Sequence, residues 1–331
     1  MDSLARLKRY MNDNAPLILD GGLATELAEQ GANLQGDPLW GSGLLYTNPQ
    51  IIRDVHHRFL VSGADVISTA TYQASVPGFM DHLNLSSERA RELLMSGVHL
   101  AKESVERFVS ECHHTGRMHP LVAGSVGPYG AILLDGSEYT GAYAAKMSIE
   151  EFKDWHRPRI ECLAAAGADL FAMETIPSTK EAQALIELLR EFPNSNAWLS
   201  FSCKDQTCIA DGSPFTSAVQ LANRSSQLVA VGVNCCSPLL VEPLLESGQS
   251  LRRPDLSWVV YPNSGEEWVR EQGWLPSDKE SLLLPDLSCK WMKQGAALIG
   301  GCCRIRPAHI AELRKQLKRG STSTGDKPPP L

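Results

Sequence analysis

The stretch Ala166-Gly167-Ala168-Asp169-Leu170-Phe171-Ala172-Met173-Glu174 contains the unit that decides the fold of this 331-residue chain. An amphipathic segment precedes it, a glycine ends that segment, and an apolar run of strand length follows at once. The same order recurs at Ser62-Gly63-Ala64-Asp65, directly before Val66-Ile67-Ser68-Thr69. Helices that end at glycine and lead straight into buried strands are typical of a parallel sheet with helical connections.

Eight short apolar or β-branched runs can be placed along the chain in this way. They are 17–20, 66–69, 121–124, 170–174, 198–201, 229–233, 258–261 and 297–300. Helical periodicity is found at 49–62, 86–109, 149–166, 180–192, 214–225 and 307–317. About eight strand–helix repeats predict an α/β fold closed into a single-domain (β/α)8 TIM-type barrel, with an open doubly wound sheet as the alternative.

The predicted barrel domain covers residues 1–318. Within it, Ser86 or Ser87 is a candidate cap for the helix at 86–109. Residues 265–284 are irregular, which predicts a long loop over the barrel mouth. From residue 319 onward the chain is polar and rich in glycine and proline, so we expect residues 319–331 to form a disordered tail.

The composition excludes several classes of partner. The chain is 43% hydrophobic, and its 38 acidic and 31 basic residues give a net charge of −7 with no concentration of basic residues. A nucleic-acid partner is therefore not expected. No run approaches the roughly 18 consecutive apolar residues of a membrane span, and the N-terminus lacks a secretory signal. We expect a cytoplasmic protein that is a monomer or a weak oligomer.

Nine cysteines, an odd number, favour metal binding or catalysis over disulfide bonding in a chain of this length. Cys235 follows the predicted strand 229–233, and Cys302 and Cys303 follow the strand at 297–300. The C-terminal ends of barrel strands form the active site, so three thiols would meet at one mouth. We expect Gly300 and Gly301 to let the backbone turn so that both neighbouring sulfurs converge.

Three protein ligands with an open fourth position are the arrangement of a catalytic zinc site, whereas a structural zinc is usually held by four. The alternative is that these are buried free cysteines. Cys236, next to Cys235, is a competing ligand.

Glu174 ends an otherwise apolar strand, so its carboxylate needs a partner, either a substrate ammonium or an internal salt bridge. Asp20 stands before two glycines and is a candidate for the same substrate binding, although an aspartate before glycines is often only a turn former. Glu138 and Tyr139 follow the third strand. A carboxylate and an aromatic face both attract a cation, although a solvated surface turn is the alternative.

Several of these segments resemble the homocysteine S-methyltransferase family. The motifs are Asp20-Gly21-Gly22-Leu23-Ala24-Thr25-Glu26-Leu27, Thr71-Tyr72-Gln73-Ala74-Ser75, Gly232-Val233-Asn234-Cys235 and Gly300-Gly301-Cys302-Cys303-Arg304. The segments 127–131 and 135–141 are similar to the branch that uses S-methylmethionine or S-adenosylmethionine as the methyl donor. The match runs in order from about residue 17 to about residue 317.

The resemblance implies a (β/α)8 barrel with Zn2+ on Cys235, Cys302 and Cys303. It also implies that Asp20, Gly21 and Glu174 hold the amino-acid end of homocysteine, and we add Thr71 of the second motif as a substrate contact. Glu138 and Tyr139 are the candidates for binding the sulfonium donor.

The sequence thus predicts a zinc-dependent enzyme that transfers a methyl group from a sulfonium donor to homocysteine and forms methionine. One alternative is a betaine-using or selenol-methylating enzyme of the same fold. The resemblance leads us to expect a long C-terminal extension in the betaine-using relatives, and on that expectation the sulfonium donor is favoured. Another is a non-catalytic barrel that binds zinc or thiols. An aldolase-like barrel is disfavoured, because Lys204 is the only candidate lysine at a strand end.

Overall fold

A computed structural model describes residues 3–112, 117–269, 273–275 and 284–318. Within them, eight parallel strands form one sheet and two further short strands form a hairpin. The strands are β1 (Leu17–Ile18), β2 (Val66–Ser68), β3 (Leu121–Val126), β4 (Leu170–Ile176), β5 (Ala197–Phe201), β6 (Leu228–Asn234), β7 (Ser257–Tyr261), β8 (Glu267–Val269), β9 (Gly273–Leu275) and β10 (Ala296–Ile299).

The large sheet has the strand order β1-β10-β7-β6-β5-β4-β3-β2 and closes on itself. At one side of the junction, Leu17 of β1 pairs with Leu298 of β10. At the other, Leu19 forms a parallel bridge with Val66 of β2, and the Asp20 N–H donates to the Val66 carbonyl at 3.1 Å. The predicted (β/α)8 barrel is therefore confirmed, and the open doubly wound alternative is wrong.

Twelve α-helices are found in the described residues, most of them packed around the barrel. They are α1 (Ser3–Asn14), α2 (Leu23–Glu29), α3 (Leu44–Thr47), α4 (Pro49–Ser62), α5 (Val76–Leu83), α6 (Ser87–Cys112), α7 (Ile149–Ala165), α8 (Thr179–Leu189), α9 (Phe215–Ala222), α10 (Val241–Gly248), α11 (Leu284–Lys293) and α12 (Pro307–Lys318). The six predicted helices are confirmed with small shifts of their ends.

Alternation along the strands produces two apolar layers. One set of strand side chains, including Leu19, Ala172 and Trp198, fills a cluster that Leu7 and Met11 of α1 also join. The alternate set packs against the outer helices in a much larger cluster. The interior of the barrel is thus a packed core rather than a pore, and polar side chains collect where the strands end.

The helix ends agree with the signals in the sequence. Gly63 ends α4 with φ of 122°, and Gly167 follows α7 with φ of 79°, a backbone region that strongly favours glycine. At the start of α6, the hydroxyl of Ser86 accepts a hydrogen bond from the Arg89 N–H at 3.3 Å. Ser86, rather than Ser87, is therefore the cap.

The prediction of a loop over residues 265–284 is wrong for its described part. β8 and β9 pair in antiparallel fashion, with Trp268 opposite Trp274. Each strand is only three residues long, too short to show periodicity, although tryptophan, valine and leucine give each run some strand preference. A hairpin therefore stands between β7 and α11.

The described residues do not test the predicted extent of the domain, 1–318, which stays a prediction. The tail expected at 319–331 lies outside them. None of the described helices is both long and apolar enough to cross a bilayer.

Candidate functional site

Three sulfur atoms converge at the C-terminal end of the barrel. Cys235 directly follows β6, and Cys302 and Cys303 lie in the turn after β10. The Cys235 Sγ lies 2.7 Å from the Cys302 Sγ and 3.6 Å from the Cys303 Sγ, and the last two sulfurs are 4.0 Å apart. Strands distant in sequence thus place three thiols within reach of one ion, as predicted.

The turn geometry differs from the expectation for Gly300 and Gly301. Neither glycine has a positive φ; the left-handed residues are Cys235, with φ of 52°, and Arg304, with φ of 69°. The glycines are required by close packing instead. A Cβ atom on Gly300 would lie 2.5 Å from the Leu19 Cβ, and one on Gly301 would lie 2.3 Å from the Ile305 side chain.

The thiols are electrostatically coupled. Hydrogen bonds from Cys302 and Cys303 hold the pKa of the Cys235 thiol well below its usual range, and the same contacts raise the pKa of both donors. A tetrahedral zinc with Zn–S bonds of about 2.3 Å requires S···S separations of about 3.8 Å. Two of the three observed separations are close to that value, so this donor set fits a thiolate-binding metal ion.

The structure also chooses between the neighbouring cysteines. Cys236 is buried and lies against Cys203, whose pKa is raised first by burial and then by the hydrogen bond to Cys236. Cys235 alone of the two faces the other thiols. Cys235 is the ligand that the family resemblance implies, and the left-handed backbone at Cys235, with φ of 52°, accompanies this separation of the two neighbouring side chains.

Two carboxylates lie beside the three thiols. Asp20, 5% exposed, accepts a hydrogen bond from the Ser68 N–H at 2.7 Å. Glu174, 8% exposed, accepts one from the Ser125 hydroxyl. Burial raises the pKa of Asp20 to about 8, and the charge of Glu174 adds to the rise. Burial also raises the pKa of Glu174 to about 7, with a contribution from Cys235.

Neither carboxylate forms a salt bridge within the described residues, which disagrees with the salt-bridge alternative for Glu174. Two neighbouring buried acids whose charged forms are disfavoured by burial, and in the case of Asp20 also by the charge of Glu174, are electrostatically suited to a cationic group placed between them.

Asp20→Asn is expected to raise the thermal stability of the substrate-free protein at pH 8. Because the folded-state pKa is above the unfolded value, ionisation of Asp20 costs stability progressively as the pH rises from about 4 to about 8. Asparagine retains an oxygen for the Ser68 N–H and carries no charge. Melting curves at pH 8 should show a higher melting temperature for the variant, by about 2–4 °C for each kcal/mol gained in the free energy of unfolding, and this difference should shrink toward pH 5. A wild type with a higher melting temperature than the variant at pH 8 would contradict the assignment.

Thr71 and Gly21 were predicted to contact the substrate, but the structure shows each of them engaged with neighbouring residues of the protein. Thr71 is fully buried, and its hydroxyl donates to the Ser125 carbonyl at 2.8 Å and contacts the Thr69 hydroxyl at 2.6 Å. A Cβ atom on Gly21 would lie 2.3 Å from the Ile305 carbonyl oxygen. Thr71 therefore lies behind the wall of the site, and contact of either residue with substrate stays a prediction.

Glu138 and Tyr139 lie above the thiols on a short 3-10 helix, Ser137–Tyr139. The Tyr139 hydroxyl is 3.6 Å from the Cys235 Sγ, while the residue as a whole is 42% exposed at the barrel mouth. The Oε2 atom of Glu138 is buried and has no hydrogen-bond partner in the described part of the chain. Burial raises the pKa of Glu138 to about 7, and Cys235 and Asp135 add to the rise. This oxygen is therefore not solvated, and binding of the donor by Glu138 and Tyr139 stays a prediction.

The structure adds polar residues that the sequence did not single out. The Ser125 hydroxyl and the Tyr261 hydroxyl both hydrogen-bond to Glu174. The side chain of Asn234, fully buried, accepts from the Thr175 N–H at 2.8 Å and donates to its hydroxyl at 2.7 Å, so it holds the residue after Glu174. Ser125, Tyr261 and Asn234 could have been predicted from the sequence, because each is a polar residue near the end of an apolar strand.

Tyr72 is the other added residue. Burial raises the pKa of its hydroxyl well above the usual range, and the charges of Glu138 and Cys235 add to the rise. Tyr72 therefore shares the electrostatic environment of Cys235 and Glu138. Its place in the motif Thr71-Tyr72-Gln73-Ala74-Ser75 was the available signal.

The fold and the site together define a class of protein, a (β/α)8 barrel with a three-thiol centre and buried acids at the catalytic end. Comparison with known proteins identifies the family within this class. The sequence profile described as homocysteine S-methyltransferase matches residues 17–317. The chain belongs to the homocysteine S-methyltransferase family, whose members are methyltransferases.

Individual relatives match over nearly their whole length. The betaine-homocysteine S-methyltransferase of Drosophila melanogaster is 42% identical over 92% of this chain and 95% of its own. Homocysteine S-methyltransferase 1 of Arabidopsis thaliana is 42% identical over 91% of this chain and 93% of its own. The crystal structure of the homocysteine methyltransferase MmuM from Escherichia coli, metallated form, has a TM-score of 0.82 and 40% identity over 93% of this chain and 99% of that chain.

Proposed function

We propose that this protein transfers a methyl group from a sulfonium donor to the sulfur of homocysteine and forms methionine, with zinc held by Cys235, Cys302 and Cys303. The observation that carries the proposal is the convergence of three thiols and two buried carboxylates at the catalytic end of the barrel. Membership of the homocysteine S-methyltransferase family supports the choice of acceptor.

The acceptor fits the arrangement of charges. Homocysteine carries a thiol at one end and an ammonium and a carboxylate at the other. Its ammonium would lie between Asp20 and Glu174, where a cation would stabilise the charged forms that burial disfavours and would offset the repulsion of Asp20 by Glu174. Gly21, whose backbone is partly exposed, would contact the same end of the molecule.

A zinc ion on the three thiols would supply Lewis acidity that deprotonates the thiol of homocysteine at neutral pH. Three protein thiols, rather than the four of a structural site, would leave one ligand position for the substrate sulfur. The residues of the chain hold the three thiolates in place, exclude water and orient the amino-acid end of the acceptor.

The transfer step is a displacement at the methyl carbon. The homocysteine thiolate forms the new S–C bond, the old C–S bond of the sulfonium breaks, and its electron pair stays on the departing thioether sulfur. Opposite charges are neutralised as the methyl moves, so a dry site favours the step. Alignment of the two sulfurs about the methyl group is the other large contribution. No general base on a side chain is needed for the transfer itself.

Glu138, Tyr139 and Tyr72 would form the donor side of the site. A buried carboxylate oxygen without a partner is costly unless a cation meets it, and the positive centre of the donor is such a cation. Aromatic faces add cation–π attraction of about 0.5–2 kcal/mol. The same features suit a quaternary ammonium, and the name of the Drosophila melanogaster relative makes betaine the second candidate donor.

The test combines metal analysis with a donor panel. We expect about one zinc per chain in the purified, reduced protein and chelator-sensitive methionine formation from homocysteine with S-methylmethionine or S-adenosylmethionine. Turnover with betaine alone would assign the second donor. Selenohomocysteine in place of homocysteine tests the selenol alternative. Zinc without turnover on any donor would favour a binding protein, and absence of zinc would contradict the mechanism. Sedimentation of the same sample tests the expected monomer or weak oligomer.

A further inference from the structure

A buried cluster of charged side chains lies behind the donor side of the site. Arg159 and His156 come from α7, and Glu181 comes from the first turn of α8. Arg159 is 3% exposed, and His156 and Glu181 are fully buried. Charged groups at this depth are costly unless every polar atom is bonded, so their bonding partners indicate what they do.

Arg159 binds the two loops that form the donor side. Its guanidinium donates to the carbonyl of Tyr72 at 3.1 Å and to the carbonyl of Gly127 at 2.7 Å. These two backbones approach each other so closely that a Cβ atom on Gly127 would lie 2.5 Å from the Tyr72 carbonyl oxygen. One buried cation therefore joins the loop after β2 to the loop after β3.

His156 links this cation to Glu181. The Nδ1 atom of His156 faces Arg159 at 2.7 Å, and its Nε2 atom faces Glu181 at 2.9 Å. Because arginine can only donate, Nδ1 accepts, and the proton of the neutral imidazole is on Nε2, from which it is donated to the carboxylate. Burial lowers the pKa of His156, in agreement with the neutral form.

Glu181 returns to the loop after β3 at two points. It accepts from the Tyr129 N–H at 2.7 Å and from the Tyr143 hydroxyl. Between these points the loop carries Glu138 and Tyr139. Gly130 lets the loop pack tightly here, since a Cβ atom on it would lie 2.4 Å from the Tyr143 ring and 2.8 Å from the Glu138 nitrogen.

We infer that Arg159, His156 and Glu181 are positioning residues that clamp the loops of Tyr72 and of Glu138 and Tyr139 from behind, and so set the place of the methyl donor relative to the three thiols. The inference rests on the proposed function. None of the three residues is bonded to the thiols, Asp20 or Glu174 in the described structure. Their loss therefore affects the donor side and spares the acceptor side.

The test compares His156→Ala with His156→Gln in the full-length, zinc-loaded protein. Alanine breaks the link, whereas the amide of glutamine can accept from Arg159 and donate to Glu181. We expect His156→Ala to lower kcat/KM for the donor at least about 10-fold, because displacement by about 1 Å can cost roughly 100-fold. Zinc content and the Kd of homocysteine should change less than about 2-fold, and glutamine should restore most of the loss. Hydrogen exchange in residues 127–141 should be faster in His156→Ala alone.

Tyr143→Phe provides the same test if His156→Ala does not fold. It removes a single hydrogen bond to Glu181 from the loop side, so we expect a smaller loss with the same selectivity for the donor. The inference would be overturned if the affinity for homocysteine fell as much as kcat/KM for the donor, or if hydrogen exchange in residues 127–141 were unchanged. A wild type without turnover on any donor would instead reject the proposed function, and the exchange measurement would still decide whether the clamp holds the loop.

Discussion

Cys303→Ala is expected to lose bound zinc and methyl-transfer activity together while the barrel remains folded. Cys303 is partly exposed at the end of the barrel, outside the two apolar layers, so its truncation removes little packing. It supplies one of only three sulfurs to the proposed metal site, and its Sγ lies within 4.0 Å of both others. Activity should fall more than about 100-fold, since loss of outer-sphere partners alone costs roughly 10–100-fold.

Metal content by elemental analysis, activity with the preferred donor and circular dichroism should be measured on one preparation. Cys236→Ala is the matched control, because it removes a neighbouring buried thiol that faces Cys203 rather than the other ligands. We expect the control to retain its zinc. Normal zinc content and turnover in Cys303→Ala would reject the ligand assignment, and loss of zinc from the control alone would shift it to Cys236.

The second large effect is expected for Glu174→Gln, which should raise the KM for homocysteine. The change removes one of two carboxylates proposed to surround the substrate ammonium, while glutamine retains the size and an oxygen for the Ser125 hydroxyl. Loss of a partner from a buried charge pair costs about 2–5 kcal/mol, which corresponds to an increase of at least about 30-fold. The KM for the donor should change little, because the donor lies on the side of Glu138.

Steady-state kinetics with each substrate varied in turn separate the two constants. Glu150→Gln, the same change at an exposed glutamate paired with Lys153, controls for the loss of a negative charge. In the wild type, the KM for homocysteine should rise as the pH falls through about 8 and about 7, because Asp20 and Glu174 gain protons there and lose their attraction for the ammonium. An increase in the donor KM alone would place Glu174 on the donor side.

The same carboxylates connect function with stability. A site prepared for an ammonium contains acids whose charged forms are disfavoured by burial, and for Asp20 also by the charge of Glu174, until the substrate arrives. The gain in stability expected for Asp20→Asn and the loss of affinity expected for Glu174→Gln therefore have one physical cause.

The sequence by itself predicted the barrel, the three cysteines that converge at one end of it, and the two buried acids. The barrel could be predicted because glycines such as Gly63 and Gly167 mark where helices end, and apolar runs of strand length follow them. Cys235, Cys302, Cys303 and Glu174 could be found because each stands at the end of such a strand, and parallel strands all end at one face of a barrel.

Only the tertiary structure decided which groups face one another. The choice of Cys235 over Cys236 depends on a left-handed backbone after β6. The need for Gly300 depends on the approach of Leu19, which is 281 positions away in the sequence, and the need for Gly301 depends on the approach of Ile305. The clamp of Arg159, His156 and Glu181 was not anticipated either. Its bonds join residues up to 87 positions apart, and periodicity describes only which face of one element is apolar.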